Sequence, residues 1–151
     1  MVDVSPKRVS LRTAVASGRV IMKADTLRRI GDKKIEKGDV LGVARVAGIM
    51  AAKRTGAMIP MCHPLSLDSV EIFFRLSLRR SEIYIETKVK SRGRTGVEME
   101  ALLATATASL TIYDMCKAID RGMTIAEIKL LKKSGGKSGT YIRPAGDVQD
   151  L

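Results

Sequence analysis

Asp114 and Lys117 close a run of thirteen uncharged residues, Ala101–Tyr113, in a chain whose side chains are 28% charged. Such a run reads as a buried helix, and a three-residue spacing puts the carboxylate and the ammonium one turn apart on it. Burial beside the run is unfavourable for either ion unless the two pair or are used. A buried carboxylate–ammonium pair with tunable acidity suits proton transfer. The ordinary alternative is an i,i+3 ion pair at a helix end.

Other groupings also offer chemistry. The sole histidine lies in Ile59-Pro60-Met61-Cys62-His63-Pro64-Leu65, stiffened by two prolines, with Lys53-Arg54 just before it. Together these suit an anion site beside a proton donor. Equally, Lys53 and Arg54 complement a helix C-terminal dipole, and His63 satisfies a buried carbonyl. In Gly96-Val97-Glu98-Met99-Glu100, Glu98 follows Thr95 at the spacing of a capping box, which leaves Glu100 for other work. Glu100 and Asp114 fall on one face of a helix but about 21 Å apart at ~1.5 Å per residue, so serving one bond requires a second subunit. Lys132-Lys133-Ser134-Gly135-Gly136-Lys137-Ser138-Gly139 ends like a phosphate-binding P-loop. Leu131 stands where that signature needs glycine and no helix follows, which excludes an ATPase. What remains is a loop whose N–H groups and lysines can hold an anion, or a solvated loop. Cys62 and Cys116 read as small buried residues, and no metal-ligand cluster is present.

The elements that must position these groups follow from periodicity. Residues 9–22 form a strand that bends at Gly18, residues 24–31 a short helix, and residues 38–54 a longer helix. Gly42, Ala44, Ala47, Gly48, Ala51 and Ala52 make one side of that second helix small, suited to close packing. Residues 55–67, with Pro60 and Pro64, read as irregular loop. Alternation predicts a hairpin of two strands, Val70–Leu78 and Ile83–Val89. A long helix over 95–118 and a strand over 125–132 follow, and residues 140–151 read as a mobile tail. This order predicts a single α+β domain over 1–151: a ferredoxin-like sandwich, an antiparallel sheet with helices packed on one face. The third helix is apolar nearly all round, so a partner surface is expected for what the sheet leaves bare.

At 151 residues the chain can bury a real core, built from aliphatic side chains because it has three Tyr, two Phe and no Trp. A net charge of +11 predicts an anionic partner. A basic nucleic-acid-binding module is one reading of that charge, but the strands lack an aromatic stacking platform beyond Phe73 and Tyr84. No signal peptide or membrane span is legible, so a cytoplasmic protein is expected.

Ala51-Ala52-Lys53-Arg54-Thr55, the Ile59–Leu65 segment, Gly96–Leu102, Leu110–Ala118 and Lys133–Gly139 together resemble the cyclic pyranopterin monophosphate synthases, the molybdenum cofactor biosynthesis protein C family. Val2-Asp3-Val4-Ser5 also resembles the family's opening. The resemblance implies a lyase acting on 3′,8-cyclo-7,8-dihydroguanosine 5′-triphosphate and releasing pyrophosphate. It further implies a homohexamer built from dimers, with sites at subunit interfaces. It places the catalytic aspartate on Asp114 with Lys117 beside it, and substrate contacts on Met61, Cys62, His63, Met99, Glu100, Lys37 and Lys133. With that substrate, Lys53, Arg54, Lys133 and Lys137 are expected to meet the phosphates. No cofactor is required, though Mg2+ can arrive with the triphosphate, and neither a membrane nor a nucleic acid is an expected partner.

Overall fold

The computed structural model describes residues 1–144. Its elements are β1 (Ser10–Ile21), α1 (Ala24–Gly31), α2 (Val40–Lys53), α3 (Thr55–Met58), β2 (Ser69–Ser77), β3 (Glu82–Gly93), α4 (Glu98–Cys116), β4 (Thr124–Ser134) and β5 (Tyr141–Ile142). The strands form one antiparallel sheet in the order β2-β3-β1-β4-β5. This is the expected α+β, ferredoxin-like arrangement, with β5 added at one edge.

Period-two patterning sets the register. Val20 lies opposite Ile83 and Ala14 opposite Val89, so the small and branched residues of β1 and β3 share the face beneath the helices. Val20, Ile83 and Ile85 pack there with Ala104, Ala108 and Ile112 of α4 and with Leu27 and Ile30 of α1. Against β4 the register of β1 slips between Ser17 and Arg19, the irregularity expected at Gly18. Helix α2 lies against α4. A Cβ at Gly48 would sit 2.9 Å from the Ala104 carbonyl oxygen, so the small side of α2 serves close backbone approach.

The sheet's other face is polar and yet partly closed. Arg19 reaches Glu82 (Nη1–Oε2 3.6 Å) and Glu127 (Nε–Oε2 3.4 Å). Arg75 lies 4.6 Å over the Tyr84 ring and Lys88 lies 5.1 Å over Phe73. Each of these two rings thus carries a cation of the same chain.

Three expectations are corrected. Helix α4 starts at Glu98 behind Val97, whose φ of −116° is not helical, and no side-chain cap bond forms, so Thr95 and Glu98 make no capping box. Helix α2 starts instead with a true cap, Asp39 accepting from the Gly42 N–H at 3.0 Å. The region read as loop over 55–67 opens with one helical turn, Thr55–Met58, closed by the Ile59 N–H on the Thr55 carbonyl at 2.9 Å and joined to α2 by Thr55 Oγ1 on the Ala52 carbonyl at 3.0 Å. The tail expected over 140–151 begins as strand, with Tyr141 and Ile142 pairing with Lys133 and Lys132; residues 145–151 lie outside the described residues.

Candidate functional site

Helix α4 carries a group of the expected site residues at each end. At its C-terminal end Asp114 sits between two ammonium groups. Lys117 Nζ lies 2.7 Å from Oδ1, and Lys37 Nζ lies 2.9 Å from Oδ2 and 3.0 Å from the Asp114 carbonyl oxygen. Lys37 belongs to the connection between α1 and α2, which Ile35 anchors in the core and which turns at Gly38 (φ +97°). The pair expected to be buried is not: the Asp114 and Lys117 side chains are 55% and 52% exposed. The carboxylate lies past the apolar run, where the helix end meets solvent. Hydrogen bonds from Lys117 and then Lys37 hold its carboxyl at about 2, and the same bond raises Lys117. Asp114 is therefore a fixed anion that organises two cations.

At the other end, Met61, Cys62, His63, Leu65, Thr95, Gly96, Glu98, Met99 and Glu100 line a cleft of about 160 Å³. Glu100 is 3% exposed, and burial, followed by the Glu98 charge, pushes its carboxyl up. Glu98 sits in the first turn of α4, where its charge complements the helix dipole. His63 Nε2 bonds to the Val2 carbonyl oxygen at 2.9 Å, so the N-terminal segment reaches this cleft. Cys116 is buried as expected, its thiol pushed up by burial to about 11; Cys62 is half-buried at the cleft, and burial raises its thiol as well, which disfavours a thiolate nucleophile.

The glycine-rich loop is ordered by its own lysine: Lys133 Nζ bonds to Ser138 Oγ and to the Gly139 carbonyl. Gly135 (φ +96°) and Gly136 (φ +77°) let the loop turn back against the Arg12 guanidinium. A basic cavity of about 930 Å³ results, lined by Pro6, Lys7, Arg8, Ser10, Arg12 and Gly136–Ser138. Within it, Ser10 Oγ is buried with no hydrogen-bond partner. Lys137 was expected here; Lys7, Arg8 and Arg12 were not. Their only sequence signal was alternation, Arg8, Ser10 and Arg12 entering β1 two residues apart.

Lys53 ends α2 and Arg54 follows it, both exposed, where they complement that helix's dipole; neither is among the lining residues of the two cavities. Met61, Cys62, His63, Met99 and Glu100 are brought together, and Lys37, Asp114 and Lys117 are brought together. The two groups are not, because α4 separates Glu100 from Asp114 by about 21 Å at ~1.5 Å per residue. No group of three His, Cys, Asp or Glu side chains able to hold a metal occurs among the described residues. No helix among them is long and apolar enough to cross a membrane.

Residues 1–136 match the profile of the MoaC family. A protein of Heliobacterium modesticaldum named cyclic pyranopterin monophosphate synthase is 60% identical over 143 residues, covering 95% of this chain and 90% of its own. One of the same name from Thermoanaerobacter sp. is 62% identical over 143 residues, again 95% and 90% of the two chains. Cyclic pyranopterin monophosphate synthase 1 of Mycobacterium bovis is 57% identical over 148 residues, 98% of this chain and 86% of its own.

Proposed function

This chain belongs to the MoaC family, and from that premise we propose how its residues carry the reaction. The chain is a lyase that forms cyclic pyranopterin monophosphate, a step of molybdenum cofactor biosynthesis. In this reading the substrate is 3′,8-cyclo-7,8-dihydroguanosine 5′-triphosphate and the second product is pyrophosphate.

The observation that carries the reading is Asp114 held between Lys117 and Lys37. A carboxylate ionised down to about pH 2 is a weak base, so Asp114 acts as the orienting partner. Lys117, its ammonium held charged by its bond to Asp114, acts as the polariser of the rearranging ring, and Lys37 supports developing negative charge. Glu100, its carboxyl raised by burial, supplies a group that holds a proton more tightly than an ordinary carboxylate, with His63 beside it once the Val2 carbonyl is displaced. The basic cavity of Lys7, Arg8, Arg12 and Lys137 takes the phosphates and stabilises the departing pyrophosphate. Lys133 holds the loop that presents Lys137, while Lys53 and Arg54 draw in the polyanion. Mg2+, where it takes part, is proposed to arrive on the phosphates, and no group of three His, Cys, Asp or Glu side chains among the described residues is placed to hold it.

A complete site joins the Asp114 end of one protomer to the His63–Glu100 end of another, in a hexamer built from dimers working in the cytoplasm. Support comes from α2, where Val43, Val46 and Met50 are 46%, 58% and 47% exposed along one helical face, and from Leu110 of α4, 59% exposed. The bare stripe lies mainly on α2, since α2 itself covers much of α4. The test is release of pyrophosphate from the cyclised triphosphate by purified protein. One pyrophosphate per pterin formed is expected, and pterin formation without it would refute the phosphate assignment.

A further inference from the structure

Asp120 is 2% exposed, one of the most deeply buried carboxylates among the described residues, and no step above uses it. It lies in the turn that ends α4, its own N–H bonded to the Cys116 carbonyl at 3.1 Å, three residues beyond Lys117. Its Oδ2 accepts from the Lys23 N–H at 2.8 Å and from Thr26 Oγ1 at 3.2 Å, and its Oδ1 accepts from the Gly122 N–H at 3.2 Å. Helix α1 has no side-chain cap of its own at Lys23, so this distant carboxylate serves as its cap, at the end where the helix dipole favours an anion. Beyond the other end of α1 the chain runs through buried Ile35 to Lys37, whose ammonium returns to Asp114. The segment from the start of α1 to Lys37 is thus tied to the end of α4 at both its ends: at the start of α1, in the core, by Asp120, and beyond α1, in solvent, by Lys37.

We propose that Asp120 is a positioning residue, clamping α1 to the end of α4 so that Lys37 meets Asp114 in one geometry. An exposed ion pair between flexible side chains holds weakly by itself. A buried carboxylate with three hydrogen bonds is a far stiffer restraint. The proposal rests on the reading of Lys37–Asp114–Lys117 as the reacting cluster.

The experiment compares the parent protein with Asp120→Asn and with Thr26→Val, which deletes one of the three bonds. Each is treated briefly with acetic anhydride at neutral pH, and acetylation of individual lysines is followed by mass spectrometry, alongside kcat and KM. Lys37 is expected to react about fivefold faster or more in Asp120→Asn, and less so in Thr26→Val, because its tie to Asp114 has opened. The exposed Lys53 and Lys90 should stay within about twofold, and kcat should fall roughly tenfold with little change in KM. Lys37 reacting as in the parent, or all lysines accelerating together, would overturn the proposal, the second showing general loosening of the fold. Lys37 released while kcat holds would instead strike at the assignment of the reacting cluster, since the labelling needs no turnover. Thr26→Val keeps the test open should Asp120→Asn not fold.

Discussion

Asp114 faces solvent, yet two ammonium groups fix both its oxygens, which makes it the most informative single substitution. Asp114→Asn preserves volume and leaves Lys37 and Lys117 without their anion. The expected result is unchanged folding by circular dichroism and turnover reduced about a hundredfold or more. Activity within about threefold of the parent would remove Asp114 from the mechanism. Glu100 is the opposite kind of carboxylate. Its folded-state acidity is weakened by burial, so the native state holds the proton more tightly than the unfolded chain does. That contribution is complete below the ordinary carboxyl value of 4.5 and is lost as pH rises through the raised native value. Glu100→Gln should therefore melt above the parent at neutral pH, and the gap should close at pH 4; a gap independent of pH would mean the burial is not felt. Arg12→Gln and Lys137→Gln should each weaken binding of the triphosphate roughly tenfold while sparing the nucleoside, as calorimetric titration of both ligands would show. His63 and Asp114 were legible in sequence because each is chemically conspicuous among its neighbours. Arg12 was not, because it matters only once β1 pairs with β3 and the loop at Gly136 folds back against it.

Elements were legible where burial pattern and local chemistry agreed. The alternation of β2 and β3 survives in their ladder, from Ser77 opposite Glu82 to Ser69 opposite Lys90. The start of α4 was misread because Thr95 and Glu98 have the right spacing but the backbone at Val97 never presents them to each other. The two-residue β5 had no signal of its own. It exists because Arg143 donates from its backbone to the Leu131 carbonyl at 2.8 Å and from its side chain to that of Leu130 at 2.7 Å. Small residues along α2 were read as close packing, and Gly48 shows what that packing demands. Gly48→Ala gains about 1 kcal/mol of helix propensity. It also drives a methyl against the Ala104 carbonyl, 2.9 Å away, and into Ile72. The carbonyl is backbone and cannot rotate aside, so overpacking of about 1–3 kcal/mol should win. A lower urea midpoint is the expected reading, and a higher one would show that α2 can slide on α4.

At the scale of the whole molecule, α4 holds its two clusters apart, and in the proposed composite site a partner subunit reunites them. His63→Ala and Asp114→Ala, each inactive, are expected to complement when unfolded together and refolded. Half the dimers would be mixed and half of their sites intact, so roughly a quarter of parental activity should return. A mixture proven by mass to have exchanged subunits, yet still dead, would place both residues in one protomer's site. The same helix also sets a rule about length. Each residue added within α4 lengthens it by ~1.5 Å and turns everything beyond by about 100°. A single alanine inserted near Thr107 would leave every side chain of both clusters intact while swinging Asp114 and Lys117 away from Lys37. The stretch between Glu100 and Asp114 should therefore accept exchanges of residue type on its exposed side, as at Leu110, but no change in residue number anywhere, a frame fixed by counting as well as by the buried Ala104, Ala108 and Ile112.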